Sequence, residues 1–173
     1  SIEAVAFVWL WGFVNLLSAL LALGATAFYV FVYTLWLKRS SSSNIVIGGA
    51  AGAAPVLIGW AAVTGHLAWA PVVLFAMIFV WTPPHFWALA IKYKDDYSRA
   101  DVPMLPSVAS DRTVGVQILA YTTILVALSL VLWPVADLGA IYGVASVASG
   151  AVFLALAVQV LRTCSPSVAI TTS

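Results

Sequence analysis

Residues 40–91 read SSSSNIVIGGAAGAAPVLIGWAAVTGHLAWAPVVLFAMIFVWTPPHFWALAI, a stretch without one Asp, Glu, Lys or Arg. Crossing a bilayer as an α-helix takes roughly 20 mostly apolar residues. The stretch therefore reads as two crossings that fold back on each other at Thr64, Gly65 and His66. Pro71 falls early in the second of them, where its missing N–H costs little.

The same measure organises the rest of the chain. Residues 4–37 are also uncharged. At about 1.5 Å per residue they would make roughly 50 Å of helix, too long for one crossing of about 30 Å and a little short for two. A break around Gly12 to Asn15 predicts a truncated first helix and a full second one ending at Trp36 and Leu37. Beyond a polar segment, 92–112, come two more runs, 113–133 and 138–161, parted by the turn residues Pro134, Ala136, Asp137 and Gly139. These runs are too long for barrel strands and lack their alternation. The expected class is all-α, a polytopic transmembrane helix bundle of about six segments, the first incomplete.

Composition agrees. Hydrophobic residues make up 64% of the 173, charged residues 8%, and mean hydropathy is +1.09. A soluble domain carries roughly 25% charge, so that class is excluded. A single cysteine, Cys164, rules out an internal disulfide and a Cys-rich metal site. The chain starts at Ser1 without Met and shows no signal-peptide pattern, and it reads as an interior piece of a longer protein.

Charge placement predicts orientation. Lys38 and Arg39, then Lys92, Lys94, Arg99 and Arg112, then Arg162, all fall on one side of the assigned crossings. The opposite turns, around His66 and Asp137, have no Lys or Arg. The positive-inside rule makes the basic side cytoplasmic, together with the end that carries Glu3.

Three groups of residues could carry chemistry. Asp95, Asp96, Asp101 and Asp111 lie in the loop after the fourth helix. They read either as a solvated juxtamembrane helix, with Lys92–Asp96 and Asp95–Arg99 as i,i+4 pairs, or as hard oxygen ligands for Mg²⁺. In the second case Lys92, Lys94 and Arg99 would neutralise phosphate oxygens. Next, Pro83 and Pro84 interrupt the backbone bonds of a spanning helix, which implies a kink and a neighbouring cavity. His85 follows them, an ionisable residue inside the membrane and hence a candidate site residue. It could equally be a neutral imidazole bonded to a carbonyl freed by the kink. If the helix runs past Lys92, His85, Lys92, Asp96 and Arg99 share one face. Finally, Lys38, Arg39 and the Ser40–Asn44 stretch could bind an anion at a helix start, or simply anchor and cap it. Gly48 and Gly52 form a small-xxx-small pair that predicts tight helix packing.

The segments Tyr33-Thr34-Leu35-Trp36-Leu37-Lys38-Arg39, Asn44-Ile45-Val46-Ile47-Gly48-Gly49, Trp81-Thr82-Pro83-Pro84-His85-Phe86-Trp87-Ala88-Leu89, Tyr93-Lys94-Asp95-Asp96-Tyr97 and Pro103-Met104-Leu105-Pro106 together closely resemble the protoheme IX farnesyltransferase (haem O synthase) family. That family lies within the intramembrane aromatic prenyltransferase superfamily, and the resemblance covers roughly residues 13–162. It implies a bundle of about nine transmembrane helices around a cavity open to the cytoplasm, in a bacterial plasma membrane or a mitochondrial inner membrane. The implied reaction transfers a farnesyl group from farnesyl diphosphate to a vinyl group of haem B, with addition of water, to give haem O. Haem B is there a substrate, and a downstream haem A synthase is an implied partner; no nucleic acid is. Two Asp-bearing segments are expected to bind the diphosphate through Mg²⁺, and Asp95 and Asp96 match the second. Lys94 and Arg99 stand beside that pair, Lys38, Arg39 and Asn44 match a polar entry to the cavity, and His85 matches the histidine of the kinked helix. Tyr93, Tyr97 and Trp81 are candidates to shield an allylic cation.

The chain also departs from the pattern. The first Asp-bearing segment and the helices before it are not in the sequence, and four serines, Ser40 to Ser43, stand between the basic pair and Asn44. Asp101 replaces a usual Gly. Residues 1–162 are thus expected to form an incomplete prenyltransferase domain, with 163–173 a divergent polar tail, and the isolated chain is expected to be inactive. Two other readings predict different things. A prenyltransferase for a quinone or chlorophyll precursor would not need the Trp81-to-His85 segment. A transporter or channel subunit calls for an inverted repeat, and Pro83-Pro84-His85 has no counterpart elsewhere in the chain.

Overall fold

A computed structural model describes residues 2–38, 40–41, 43–93, 99 and 104–164. Its elements are α1 (Ile2–Phe13), α2 (Leu16–Ala27), a π-helix (Phe28–Leu37) that continues α2, α3 (Asn44–Thr64), α4 (Trp69–Lys92), a short α5 (Leu105–Val108), α6 (Asp111–Val135) and α7 (Ala140–Cys164). Among the described residues there is no strand. Among the described residues five helices are long and apolar enough to cross a membrane, and Ile2–Phe13 is a shorter apolar helix beside them.

The predicted break at Gly12 to Asn15 is present, and Asn15 makes it. Its backbone is extended, at φ −168° and ψ 162°, and its Oδ1 accepts a 2.8 Å hydrogen bond from the Ser18 N–H, the N-cap of α2. The other half of the same amide reaches sideways: Nδ2 donates to the Ala61 carbonyl of α3 at 2.8 Å. One side chain thus starts α2 and ties it to the far end of α3. There α3 stops at Gly65, whose φ of 72° is the left-handed conformation that only glycine adopts without a Cβ penalty.

Each helix packs on the next, α1 on α2, α2 on α3, α3 on α4 and α6 on α7, while α4 meets α6 across the chain. Among the described residues the two ends of this row do not touch, so the helices form an open arc with α4 in its middle. The buried cluster Trp87, Val114, Ile118 and Ala157 joins α4, α6 and α7, and Trp87 meets Tyr121 edge-on at 5.5 Å and 86°.

Close approach falls on one glycine of the expected pair, Gly48, and on Gly49 in place of Gly52. A Cβ on Gly49 would lie 3.1 Å from Thr82 Cβ, and one on Gly48 would lie 2.5 Å from the Tyr33 ring. Gly52 has no atom within 4 Å of a Cβ and faces open space. The tight contact of α3 with α4 is therefore made at Gly49, and Gly52 serves a cavity. The reason is angular: residues three apart on a helix face directions about 60° apart, so Gly49 meets α4 while Gly52 turns away from it.

Candidate active site

The site is built around α4. Pro83 and Pro84 have no N–H to give to the carbonyls of Phe79 and Val80, yet the helix runs through both, and both are buried. Just before them the Thr82 hydroxyl donates to the Ile78 carbonyl at 2.8 Å, and just after them His85 emerges on the surface of the helix. The His85 ring stacks on Trp81, centroids 4.3 Å apart at 21°, and meets Phe86 edge-on at 5.4 Å and 81°. The alternative of an imidazole bonded to a freed carbonyl is not realised, because the ring lies along the helix against its aromatic neighbours.

This aromatic ridge separates two clefts. The larger, about 700 Å³, opens between the second span, α3 and α4. Its aromatic wall is Tyr29, Tyr33, Trp81 and Phe86, and its α3 wall is nearly bare backbone at Gly48, Gly49 and Gly52. The α3 residues lining it run from Ile45 to Ile58, about 20 Å along the axis. The smaller, about 220 Å³, lies between α4, α6 and α7 and is lined by Trp81, Pro84, His85, Ala88, Thr122 and Phe153 among others. Trp81 belongs to both.

The π-helix shapes the larger cleft. Over Phe28–Leu37 the backbone bonds skip five residues, as in Lys38 N–H to the Tyr33 carbonyl at 2.8 Å. Tyr29 and Tyr33, with ring centroids 5.4 Å apart, are carried on this segment. Such stretches are rare and concentrate at functional sites.

At the basic end of the bundle Lys38 is exposed directly after the π-helix. Asn44, only 1% exposed, is packed beneath it: Nδ2 donates to the Lys38 carbonyl at 3.2 Å, and Oδ1 has no partner among the described residues. The predicted side-chain cap of α3 is not there. Ser43 occupies the cap position without a side-chain bond, because the local loop is closed instead by the Ser43 N–H donating to Ser41 Oγ at 3.1 Å.

Lys92 is exposed and stands 5.6 Å over the Tyr93 ring, and Arg99 is exposed. The continuous face proposed for His85, Lys92, Asp96 and Arg99 needs correction. Tyr93 leaves the helix at φ −109° and ψ 26°, so α4 ends at Lys92 and helical spacing carries only His85 and Lys92. Arg39, Lys94, Asp95, Asp96, Tyr97 and Asp101 lie outside the described residues, as does most of the tail, 165–173. Among the described residues no three His, Cys, Asp or Glu side chains gather as metal ligands would.

Sequence reasoning missed Tyr29 and Thr122, named Tyr33 only within a family-like segment, and read Gly52 for packing alone. The four-residue spacing of the two tyrosines was a signal for that pair. Nothing distinguished Thr122 from its neighbour Thr123.

Comparison with known proteins places this architecture. The sequence profile of the UbiA prenyltransferase family matches residues 2–171. A protein of Parafrankia sp. named protoheme IX farnesyltransferase is 63% identical over 142 residues, 82% of this chain and 45% of its own. Proteins of the same name from Frankia casuarinae and Mycobacterium avium are 62% and 56% identical, over 88% and 91% of this chain and 53% and 51% of theirs. The chain spans about half the length of the curated relatives it matches. No solved structure matches it significantly. With five helices fit to cross a bilayer and a family profile over nearly its whole length, the chain is an integral membrane protein that belongs to the UbiA prenyltransferase family.

Proposed function

We propose that the complete protein transfers the farnesyl group of farnesyl diphosphate to a vinyl group of haem B, with addition of water, to make haem O. The observation that carries this reading is the likeness to relatives named protoheme IX farnesyltransferase, at 54–63% identity over most of the chain.

The geometry supports it. A farnesyl diphosphate is a long apolar chain with a compact anionic head. The larger cleft is long, apolar and aromatic, and it runs from the end where Lys38 stands into the bundle. In this reading the isoprenoid chain lies along Gly48, Gly49 and Gly52 and under Tyr29, Tyr33 and Trp81. Their π-faces stabilise the positive charge that develops on the allylic carbon as the diphosphate leaves. Lys38, Arg39, Lys92, Lys94 and Arg99 hold the departing anion, an electrostatic role fixed in place before reaction.

Asp95 and Asp96 would hold Mg²⁺. Their paired carboxylates are the hard oxygen donors that ion takes, and the described residues supply no competing cluster. Mg²⁺, when bound, neutralises diphosphate charge. Lys38, Lys92, Arg112 and Arg162 sit at one end of the bundle, which this reading places at the cytoplasmic face of the plasma membrane. The product would pass to a haem A synthase. The test is to express the complete coding sequence in cells without their own enzyme and chromatograph the extracted haems. Conversion of haem B to haem O supports the reading, and an unchanged haem B pool with the protein present in the membrane overturns it.

A further inference from the structure

Hydroxyl side chains in an apolar span have few partners, and here most bond to a carbonyl of their own helix. Thr34, Thr64, Thr82, Thr123, Ser149 and Thr163 donate to carbonyls four or five residues earlier, at 2.7 to 3.2 Å. Thr122 does not. It is only 4% exposed, it lines the smaller cleft, and its hydroxyl has no partner among the described residues. Across that cleft, on α4, stands His85, whose ring is held by Trp81 and Phe86 and whose nitrogens bond to no described residue.

A buried polar group without a partner costs free energy, and the unpartnered Thr122 hydroxyl, facing a space of about 220 Å³ with the exposed His85 ring on its far wall, marks where a polar ligand belongs. The rest of the lining is carbon: Pro84, Ala88, Ile118, Leu125, Phe153 and Leu156. The space is too apolar for an ion and roomy enough for water, which takes about 30 Å³ per molecule and wants two or more polar partners. A hydroxyl and an imidazole supply them.

Resting on the reaction put forward above, we propose that His85 and Thr122 hold and activate the water that completes it. The C1–O bond of farnesyl diphosphate breaks and its electron pair leaves with the diphosphate. The terminal vinyl carbon of haem B bonds to C1 with the π pair, and the inner vinyl carbon becomes cationic. The water held between Thr122 and His85 adds its oxygen to that carbon. Its proton goes to a ring nitrogen of His85, which returns it to solvent after product release. Nothing is oxidised or reduced. Thr122 accepts or donates one hydrogen bond to aim the oxygen, and His85 is the general base. The carbon lining keeps other water from the cationic inner vinyl carbon, so that the positioned molecule is the one that adds.

The proposal predicts a change of product rather than mere loss of rate. Without a positioned water, the cation beside a C–H loses a proton and gives a farnesylated haem lighter than haem O by one water. The test uses the complete protein in membranes with haem B and farnesyl diphosphate in isotopically labelled water, and mass spectrometry of the extracted haems. The parent protein should place labelled oxygen in haem O. Thr122→Val, the same shape without the hydroxyl, should lower the ratio of alcohol to dehydrated product about 10-fold, the worth of one hydrogen bond, and Thr122→Ser should restore it. His85→Gln should lower haem O formation about 100-fold while the dehydrated product accumulates.

The proposal is overturned if Thr122→Val and His85→Gln, present at parental levels with parental melting temperatures, make haem O at the parental ratio. It is equally overturned if both lose farnesylation without any dehydrated product, which would assign them to binding the acceptor. A parent protein that makes no farnesylated haem at all refutes the underlying reaction instead, a distinct result.

Discussion

Replacing Gly52 by leucine separates the larger cleft as a substrate site from the larger cleft as mere surface. No heavy atom lies within 4 Å of where the Cβ would go, so the new side chain neither clashes nor has to move a neighbour. It projects into the cleft that Gly52 lines. Its carbons then fill space that about four carbons of a farnesyl chain would use, and each buried methylene is worth about 0.8 kcal/mol. Displacing them costs about 3 kcal/mol of donor binding, close to 100-fold in affinity at 1.4 kcal/mol per factor of ten. Geranyl diphosphate, one isoprene unit shorter, leaves the deeper part of the cleft empty and loses less, so the preference for the longer donor should shrink or reverse. The assay is the initial rate of haem conversion by the complete protein in proteoliposomes, with each donor titrated. Gly59→Leu is the control, since Gly59 is also open to space but lines neither cleft. A Gly52→Leu protein whose KM for farnesyl diphosphate stays within about twofold of the parent's, a difference of the size that neutral surface changes give, refutes the placement of the chain. So does equal loss for both donors.

Other perturbations follow from the same contacts. Asn15→Ala removes an N-cap worth about 1 kcal/mol and an interhelical hydrogen bond worth about 0.6 kcal/mol in a membrane. A lower melting temperature of the detergent-solubilised protein, followed by tryptophan fluorescence, is the expected result, with Asn15→Asp losing less because it keeps the cap acceptor for Ser18. Gly115→Ala puts a Cβ 3.0 Å from the Leu161 Cα, backbone that cannot swing aside, and should destabilise the α6–α7 contact by about 1–3 kcal/mol in the same assay. Asp96→Asn should cut haem O formation at least ~100-fold, the scale of losing one preorganised charge-stabilising group, and should raise the Mg²⁺ concentration needed for half-maximal rate; full activity of that variant removes Asp96 from the site.

The spans were legible because charge is so costly in hydrocarbon that its absence marks the crossings directly, and because turn residues such as Gly65 and Asn15 have no other use in an apolar run. The break at Asn15 could be located for that reason, though not its bond to α3, which depends on a neighbour that no local pattern names. The π-helix over Phe28–Leu37 escaped notice because FYVFVYTLWL suits an α-helix equally well. It carries Tyr33 against Gly48, a contact between distant segments that no local pattern names. The glycine pair was half legible for a related reason: a four-residue spacing says that two positions share a face, but Gly48 alone of the two meets a partner there, the Tyr33 ring. His85 drew attention as an ionisable residue at depth, whereas Thr122 did not, since threonine is ordinary in a spanning helix and only its missing back-bond sets it apart. The acidic loop that the sequence marks most clearly, Asp95 and Asp96, lies outside the described residues, so its part in the site rests on the residue chemistry and the family likeness.

The central claim is that the acceptor is haem. Purified complete protein, given isotopically labelled farnesyl diphosphate, Mg²⁺ and an equimolar mixture of haem B, a quinone precursor and a chlorophyll precursor, measures it in one reaction. The account predicts label in a haem fraction with the mass of haem O and none above background in the other acceptors. Label in the quinone or chlorophyll fraction, with haem B recovered unchanged, contradicts it.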